Sequence, residues 1–141
     1  MSAGRIMGID IGDKRVGVAI SDPTGFLASA HSVLIVQSTA HAANEVARLC
    51  RETGVIRVVV GMPLNMDGSK GPAAQKTAAF IEDLKPKINL PIVTWDERLS
   101  TKAAHDILMQ SGKKAPARRG IVDKVAAEII LQGYLDSQPM P

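Results

Sequence analysis

The run Ile6-Met7-Gly8-Ile9-Asp10-Ile11-Gly12-Asp13-Lys14-Arg15-Val16-Gly17-Val18-Ala19-Ile20-Ser21 decides the fold. From Arg5 to Ile11 it is nearly all apolar and rich in β-branched residues, the pattern of a buried strand. Gly12-Asp13-Lys14 is turn chemistry, and beyond it Val16, Val18 and Ile20 alternate along one side of a second strand. Asp22-Pro23-Thr24-Gly25 breaks the chain again, and Leu27 to Val36 supplies a third strand. The natural reading is a three-stranded antiparallel meander.

Downstream the period changes from two to 3.6. Between Thr39 and Thr53 the residues Ala43, Val46, Ala47, Leu49 and Cys50 share one helical face, and Gly54 is placed to end the helix. Val55 to Val60 reads as a buried strand, followed by a polar loop from Met62 to Gly71. Pro72 suits a first helical turn, and the stripe Ala74, Ala78, Ile81, Leu84 predicts a helix ended by Pro86. Leu90 to Trp95 is a fifth strand. Ser100 can cap a helix reaching Gln110, closed by Gly112. A Lys/Ala/Pro/Arg loop precedes a last helix from about Gly120 to Leu135. A meander followed by strand–helix units predicts an α/β domain, with one five-stranded mixed sheet flanked by helices.

The 141 residues fit one domain spanning 1–141. Hydrophobic residues at 45% and charged residues at 22% are ordinary for a globular protein and exclude a disordered composition. Aromatics at 3% argue against a platform on which successive bases stack. No apolar run reaches the ~20 residues of a membrane helix, and no signal-peptide pattern is present, so the expectation is a cytoplasmic protein with no membrane association. The lone Cys50 rules out an internal disulfide and a thiolate zinc cluster. Net charge is only +3, but five cations (Lys113, Lys114, Arg118, Arg119, Lys124) crowd the stretch 113–124 against the single acid Asp123. Such a cluster can track a phosphate backbone or be a solvated surface, and on charge alone the solvated surface is the ordinary reading.

Chemistry concentrates on three acids. Asp10 interrupts an otherwise buried strand, where an uncompensated carboxylate costs several kcal/mol and demands a partner, a metal or a raised pKa. Alternation puts Gly8, Asp10 and Gly12 on one face, leaving the backbone beside the acid open to close approach. The plain alternative is that Asp10 only closes the following turn, although Asp13 is better placed for that. Trp95-Asp96-Glu97-Arg98 ends the fifth strand, where open α/β sheets place their chemistry. An Asp96–Arg98 surface pair explains it equally well, and alternation cannot choose between Asp96 and Glu97. Asp123 falls in the first turn of the expected last helix, at the edge of its inward face, where the helix dipole alone would account for it. Jointly, a strand acid, a strand-end acid and a helix acid can converge to hold Mg²⁺ or Mn²⁺. With Lys14, Arg15, Arg98, Lys102 and the 113–119 cations nearby, the expected partner is a nucleic-acid backbone. The histidines His31, His41 and His105 lack ligand spacing, and the phosphate-loop, dinucleotide and nucleophile-elbow motifs are absent.

The stretch Gly8 to Asp22 resembles the N-terminal signature of the YqgF (RuvX) nuclease family. Gly61-Met62-Pro63-Leu64-Asn65-Met66-Asp67-Gly68 matches its second block, Asp96-Glu97-Arg98-Leu99-Ser100-Thr101 its third, and Asp123-Lys124-Val125-Ala126-Ala127 with Ile129 to Leu135 its fourth. The blocks follow family order across nearly the whole chain. The resemblance implies an RNase H-like fold related to RuvC-type Holliday junction resolvases. It also implies divalent-metal nuclease chemistry at Asp10, Glu97 and Asp123, and it alone selects Glu97 over Asp96. Such a site would place Lys14, Arg15, Arg98, Lys113, Lys114, Arg118 and Arg119 on substrate phosphates, with Asn65 and Asp67 shaping the rim. The family is associated with maturation of the 5′ end of precursor 16S ribosomal RNA. Junction resolution and a catalytically degenerate nucleic-acid-binding module are the alternatives. Junction cutting would call for a two-fold dimer, whereas a monomer or weak homodimer suits RNA processing.

Overall fold

A computed structural model describes residues 4–99 and 115–138, with the side chains of the last helix described from Val125 onward. The opening strands are β1 (Ile6–Ile11), β2 (Arg15–Ser21) and β3 (Ala28–Ile35), the meander expected from the turn residues. Gly12 donates its amide to the Arg15 carbonyl at 2.8 Å and closes the first turn. Asp22 closes the second, its carboxylate accepting from the amides of Phe26 and Leu27 at 2.9 Å and from the Thr24 hydroxyl. Helix α1 (Thr39–Thr53) begins at Ser38, whose side chain caps the His41 amide, and ends at Gly54 with φ 68°, a left-handed conformation that glycine adopts without strain. Strand β4 (Arg57–Met62), helix α2 (Pro72–Leu84), strand β5 (Ile92–Asp96) and helix α3 (Ala115–Ser137) follow. The expected Ser100–Gln110 helix lies outside the described residues, as do Lys102, Lys113 and Lys114.

The sheet order is β3-β2-β1-β4-β5. β1, β4 and β5 are mutually parallel, with Ile9 beside Val60 and Gly61 beside Trp95, so their C-terminal ends reach the same edge. One face carries Met7, Ile9, Val16, Val18, Val58 and Val60 against α1 and α2. The other carries Ile6, Ala19 and Val59 against Ala127, Ile130 and Leu131 of α3. Each fully buried aliphatic side chain contributes about 1.5–3 kcal/mol to holding these layers together. α3 also guards the edge strand. The Ala28 and Ala30 amides of β3 donate to Gln132 and Glu128, both at 2.9 Å, filling positions an additional strand would otherwise take.

Three boundaries differ from expectation. β4 starts two residues later than Val55 and includes Gly61 and Met62, because Ile56 bonds Arg5 ahead of the β1 ladder while the last two residues pair with Trp95 and Asp96 of β5. β5 runs Ile92–Asp96 rather than Leu90–Trp95. Pro91 has no amide to donate, and its carbonyl accepts from Val58 at 3.0 Å. The last helix starts at Ala115, not near Gly120, because Pro116 falls in a first turn, whose amides have no intrahelical partner to lose. Arg118 and Arg119 are therefore helical rather than in a loop. Asp123 stands nine residues into the helix, so the dipole account of it fails.

Candidate active site

Asp10 and Glu97 meet at the C-terminal edge of the parallel strands. Asp10 is half-buried near the end of β1, on the α3 face of the sheet. β1 and β4 run parallel up to the Ile9–Val60 pair, the residues just before Asp10 and Gly61. Glu97 leaves β5 in a single turn of 3-10 helix (Glu97–Leu99), which folds its side chain back across the end of β4. A Cβ built on Gly61 would lie 2.9 Å from Glu97 Oε2 and 2.5 Å from Ile130 Cδ1. With any larger residue there, the ends of the Glu97 and Ile130 side chains would have to move aside. Gly61 is thus the floor on which the glutamate rests, a role that no local pattern in the sequence discloses.

The electrostatics reflect this crowding. Burial pushes the Glu97 carboxyl up to about 7, and the negative charges of Asp10 and then Asp96 push in the same direction. Asp96 has the opposite fate. Arg98 grips it through Nε at 3.1 Å and 3.0 Å and through Nη2 at 2.7 Å, and that side-chain hydrogen bonding, aided by the Arg98 amide, holds its carboxyl below the usual range. Of two adjacent acids, one is neutralised by a neighbouring guanidinium while the other is turned towards Asp10. The expected Asp96–Arg98 surface pair is present, and Glu97 is the acid of the two that faces Asp10.

The backbone of helix α3 runs towards the same edge. Tyr134 accepts from Arg57 at the start of β4 (2.9 Å), and Ile130 covers Gly61 near its end. Moving towards its own N-terminus, the helix therefore advances towards the strand ends. A Cβ on Gly8 would lie 2.6 Å from Leu131 Cβ and 3.1 Å from the Ala127 carbonyl, so helix and strand are in close contact there. Asp10 is two residues beyond Gly8, about 6.6 Å along the strand. Position 123 is four residues before Ala127, one turn or about 5.4 Å along the helix. The two advances match. The Asp123 side chain, with those of Arg118, Arg119 and Lys124, lies outside the described residues, among which no group of three metal-ligating side chains occurs.

Among the described residues, Lys14, Arg15 and Asn65 lie in turns or at a strand end on this edge. Lys14 is exposed in the β1–β2 turn, which Lys76 of α2 pins by donating to the Asp13 carbonyl and, at 3.2 Å, to its carboxylate. Arg15 is half-buried on the Asp10 face, its Nη1 enclosed without a hydrogen-bond partner. Asn65 is held in a turn, donating from Nδ2 to Ser69 Oγ at 3.0 Å. Cys50 is buried in the α1 face, and burial pushes its thiol up to about 11, in keeping with a packing role. Among the described residues no helix is long and apolar enough to cross a membrane.

Residues 4–137 match the family described as "RuvX: Holliday junction resolvase". Two curated relatives carry the name "Putative pre-16S rRNA nuclease". One, from Desulforamulus reducens, is 50% identical over 133 residues, covering 94% of this chain and 97% of the relative. The other, from Pelotomaculum thermopropionicum, is 45% identical over 138 residues, covering 97% and 90%. Among solved structures, T. thermophilus RuvC in complex with Holliday junction substrate superposes with a TM-score of 0.63, covering 94% of this chain and 95% of that one at 13% identity. That likeness establishes the fold as RNase H-like, in agreement with the sheet order and helix placement. With a family match over almost its whole length and relatives near half identity, the chain belongs to the RuvX (YqgF) family.

Proposed function

We propose that this protein is a divalent-metal-dependent nuclease, a single RNase H-like domain acting on the 5′ end of precursor 16S ribosomal RNA. The observation carrying the reading is the Asp10–Glu97 pair above Gly61: two carboxylates forced together, one of them raised to about 7 by burial and by its neighbour's charge. Two carboxylates that face each other closely enough for the charge of one to raise the other fit a hard cation such as Mg²⁺ or Mn²⁺. Asp10 and Glu97 would hold it, with Asp123 completing the set from α3. Such an ion supplies Lewis-acid polarisation of the phosphodiester. The chain's own contribution is to orient those oxygens, to keep Asp96 out of the set by pairing it with Arg98, and to present Lys14 and Arg15 to the substrate backbone. The family resemblance would add Lys113, Lys114, Arg118 and Arg119, which lie outside the described side chains, to the cations that meet it.

The RNA assignment rests on the names of the curated relatives. Resolution of branched DNA is the second reading, favoured by the family description. The test is cleavage, by purified protein, of an RNA carrying the precursor 5′ leader and of a four-way DNA junction, each with Mg²⁺, with Mn²⁺ and with EDTA. Metal-dependent trimming of the RNA by wild type and its loss in Asp10→Asn is the expected result. Undiminished cleavage by Asp10→Asn would remove the metal role, and cutting of the junction alone would favour resolution.

A further inference from the structure

Two large apolar side chains stand in solvent beside the acids. Met66 is 82% exposed and Leu99 is 65% exposed. Leu99 lies two residues beyond Glu97. Met66 occupies the tip of a tight turn after β4, in which the Gly68 amide donates to the Asn65 carbonyl at 2.8 Å and Gly68 takes φ 87°. The turn is braced throughout. Asn65 bonds the Ser69 carbonyl at 2.9 Å, and Asp67 Oδ1 accepts both the amide and the hydroxyl of Ser69, at 2.9 Å and 2.6 Å. Arg98 ties its tip to Asp96. That guanidinium spends Nε and Nη2 on Asp96 and directs Nη1 to the Met66 carbonyl at 3.3 Å.

A methionine at the apex of a rigid turn gains nothing from folding, since its apolar surface stays in water. Turn apices ordinarily carry Asn, Asp, Pro or Gly. What the arrangement provides is a soft, polarisable side chain at a fixed position relative to Glu97. A thioether packs well against an aromatic edge or face, and apolar side chains of this size lodge against or between bases in nucleic-acid complexes. Few aromatic residues are available in this chain to do the same.

We propose that Met66, displayed by the Asn65–Ser69 turn and aided by Leu99, contacts a nucleobase adjacent to the scissile phosphate, and that Arg98 is a positioning residue that locks this turn to Asp96, the neighbour of Glu97 at the end of β5, rather than a phosphate ligand. The proposal rests on the nuclease reading and adds to it a site for an unstacked base, hence a preference for single-stranded or frayed substrate at the cut.

The test uses short single-stranded RNA oligonucleotides with a fluorescent adenine analogue, or an abasic residue, at successive positions, bound in EDTA to the full-length protein. Wild type should change the analogue's fluorescence at one position and bind the matching abasic oligonucleotide about three- to tenfold more weakly than the intact one. Met66→Ala should bind intact RNA as weakly as wild type binds the abasic form, with no further abasic penalty, and Met66→Leu should restore most of the difference. Arg98→Lys should blur the fluorescence signal over several positions. If Met66→Ala retains both the affinity and the abasic penalty of wild type, the base contact is refuted while the nuclease reading stands. If wild type binds no oligonucleotide and cleaves none, both fall together.

Discussion

Replacing Glu97 by glutamine should make the metal-free protein more stable at alkaline pH. Raising a carboxyl from its ordinary 4.5 to about 7 corresponds to roughly 3 kcal/mol of interaction opposing the charged form. Because the side chain is only half-buried, solvent screening reduces this to on the order of 1–2 kcal/mol. The sign follows from linkage. Between pH 4.5 and about 7 the folded chain holds a proton on Glu97 that the unfolded chain has released, so stability is full below that window and falls as pH rises through it. Glutamine keeps the shape and loses the charge. Urea unfolding followed by circular dichroism in EDTA should place Glu97→Gln about 1–2 kcal/mol above wild type near pH 8, and close to it near pH 5. Adding millimolar Mn²⁺ should reverse the order, because only wild type gains from binding the ion. A variant less stable than wild type in EDTA at the higher pH, or a difference that ignores pH, would refute the reasoning.

Two further perturbations probe the frame around the site. Gly61→Ala would put a methyl 2.5 Å from Ile130 Cδ1 and 2.9 Å from Glu97 Oε2, so both side-chain ends must move aside; it should weaken Mn²⁺ binding, measured by calorimetry, while changing unfolding free energy little. At the opposite end of the sheet, the Thr24 hydroxyl and then the Leu27 and Phe26 amides hold the Asp22 carboxyl down at about 2. That stabilisation is present above the ordinary 3.8 and is lost as pH falls towards 2. Asp22→Ala should therefore lower the melting temperature at neutral pH while flattening the acid limb of its pH dependence.

The meander was legible because each turn announces itself: Gly12-Asp13-Lys14 and Asp22-Pro23-Thr24-Gly25 separate runs with a clear period of two. The helix over Thr39–Thr53 was legible for the corresponding reason, a 3.6-residue apolar face between Ser38 and Gly54. Asp10 stood out as a carboxylate in an apolar strand. Tertiary determinants were harder to read. Alternation has no force at Asp96 and Glu97, since the backbone leaves the strand between them and turns Glu97 inward while Arg98 takes Asp96. Nor could Gly61 be recognised locally, because its function is to leave room for two side chains that arrive from β5 and α3. Pro116 among cations reads as a loop, yet a proline in the first turn is compatible with the helix that brings position 123 towards the strand ends.

The claim that these acids share one ion is tested most directly by calorimetric titration of Mn²⁺ into wild type, Asp10→Asn, Glu97→Gln and Asp123→Asn. A single site in wild type, weakened at least about tenfold by each substitution, is the expected outcome. Wild-type affinity retained by Asp10→Asn would contradict the account at its centre.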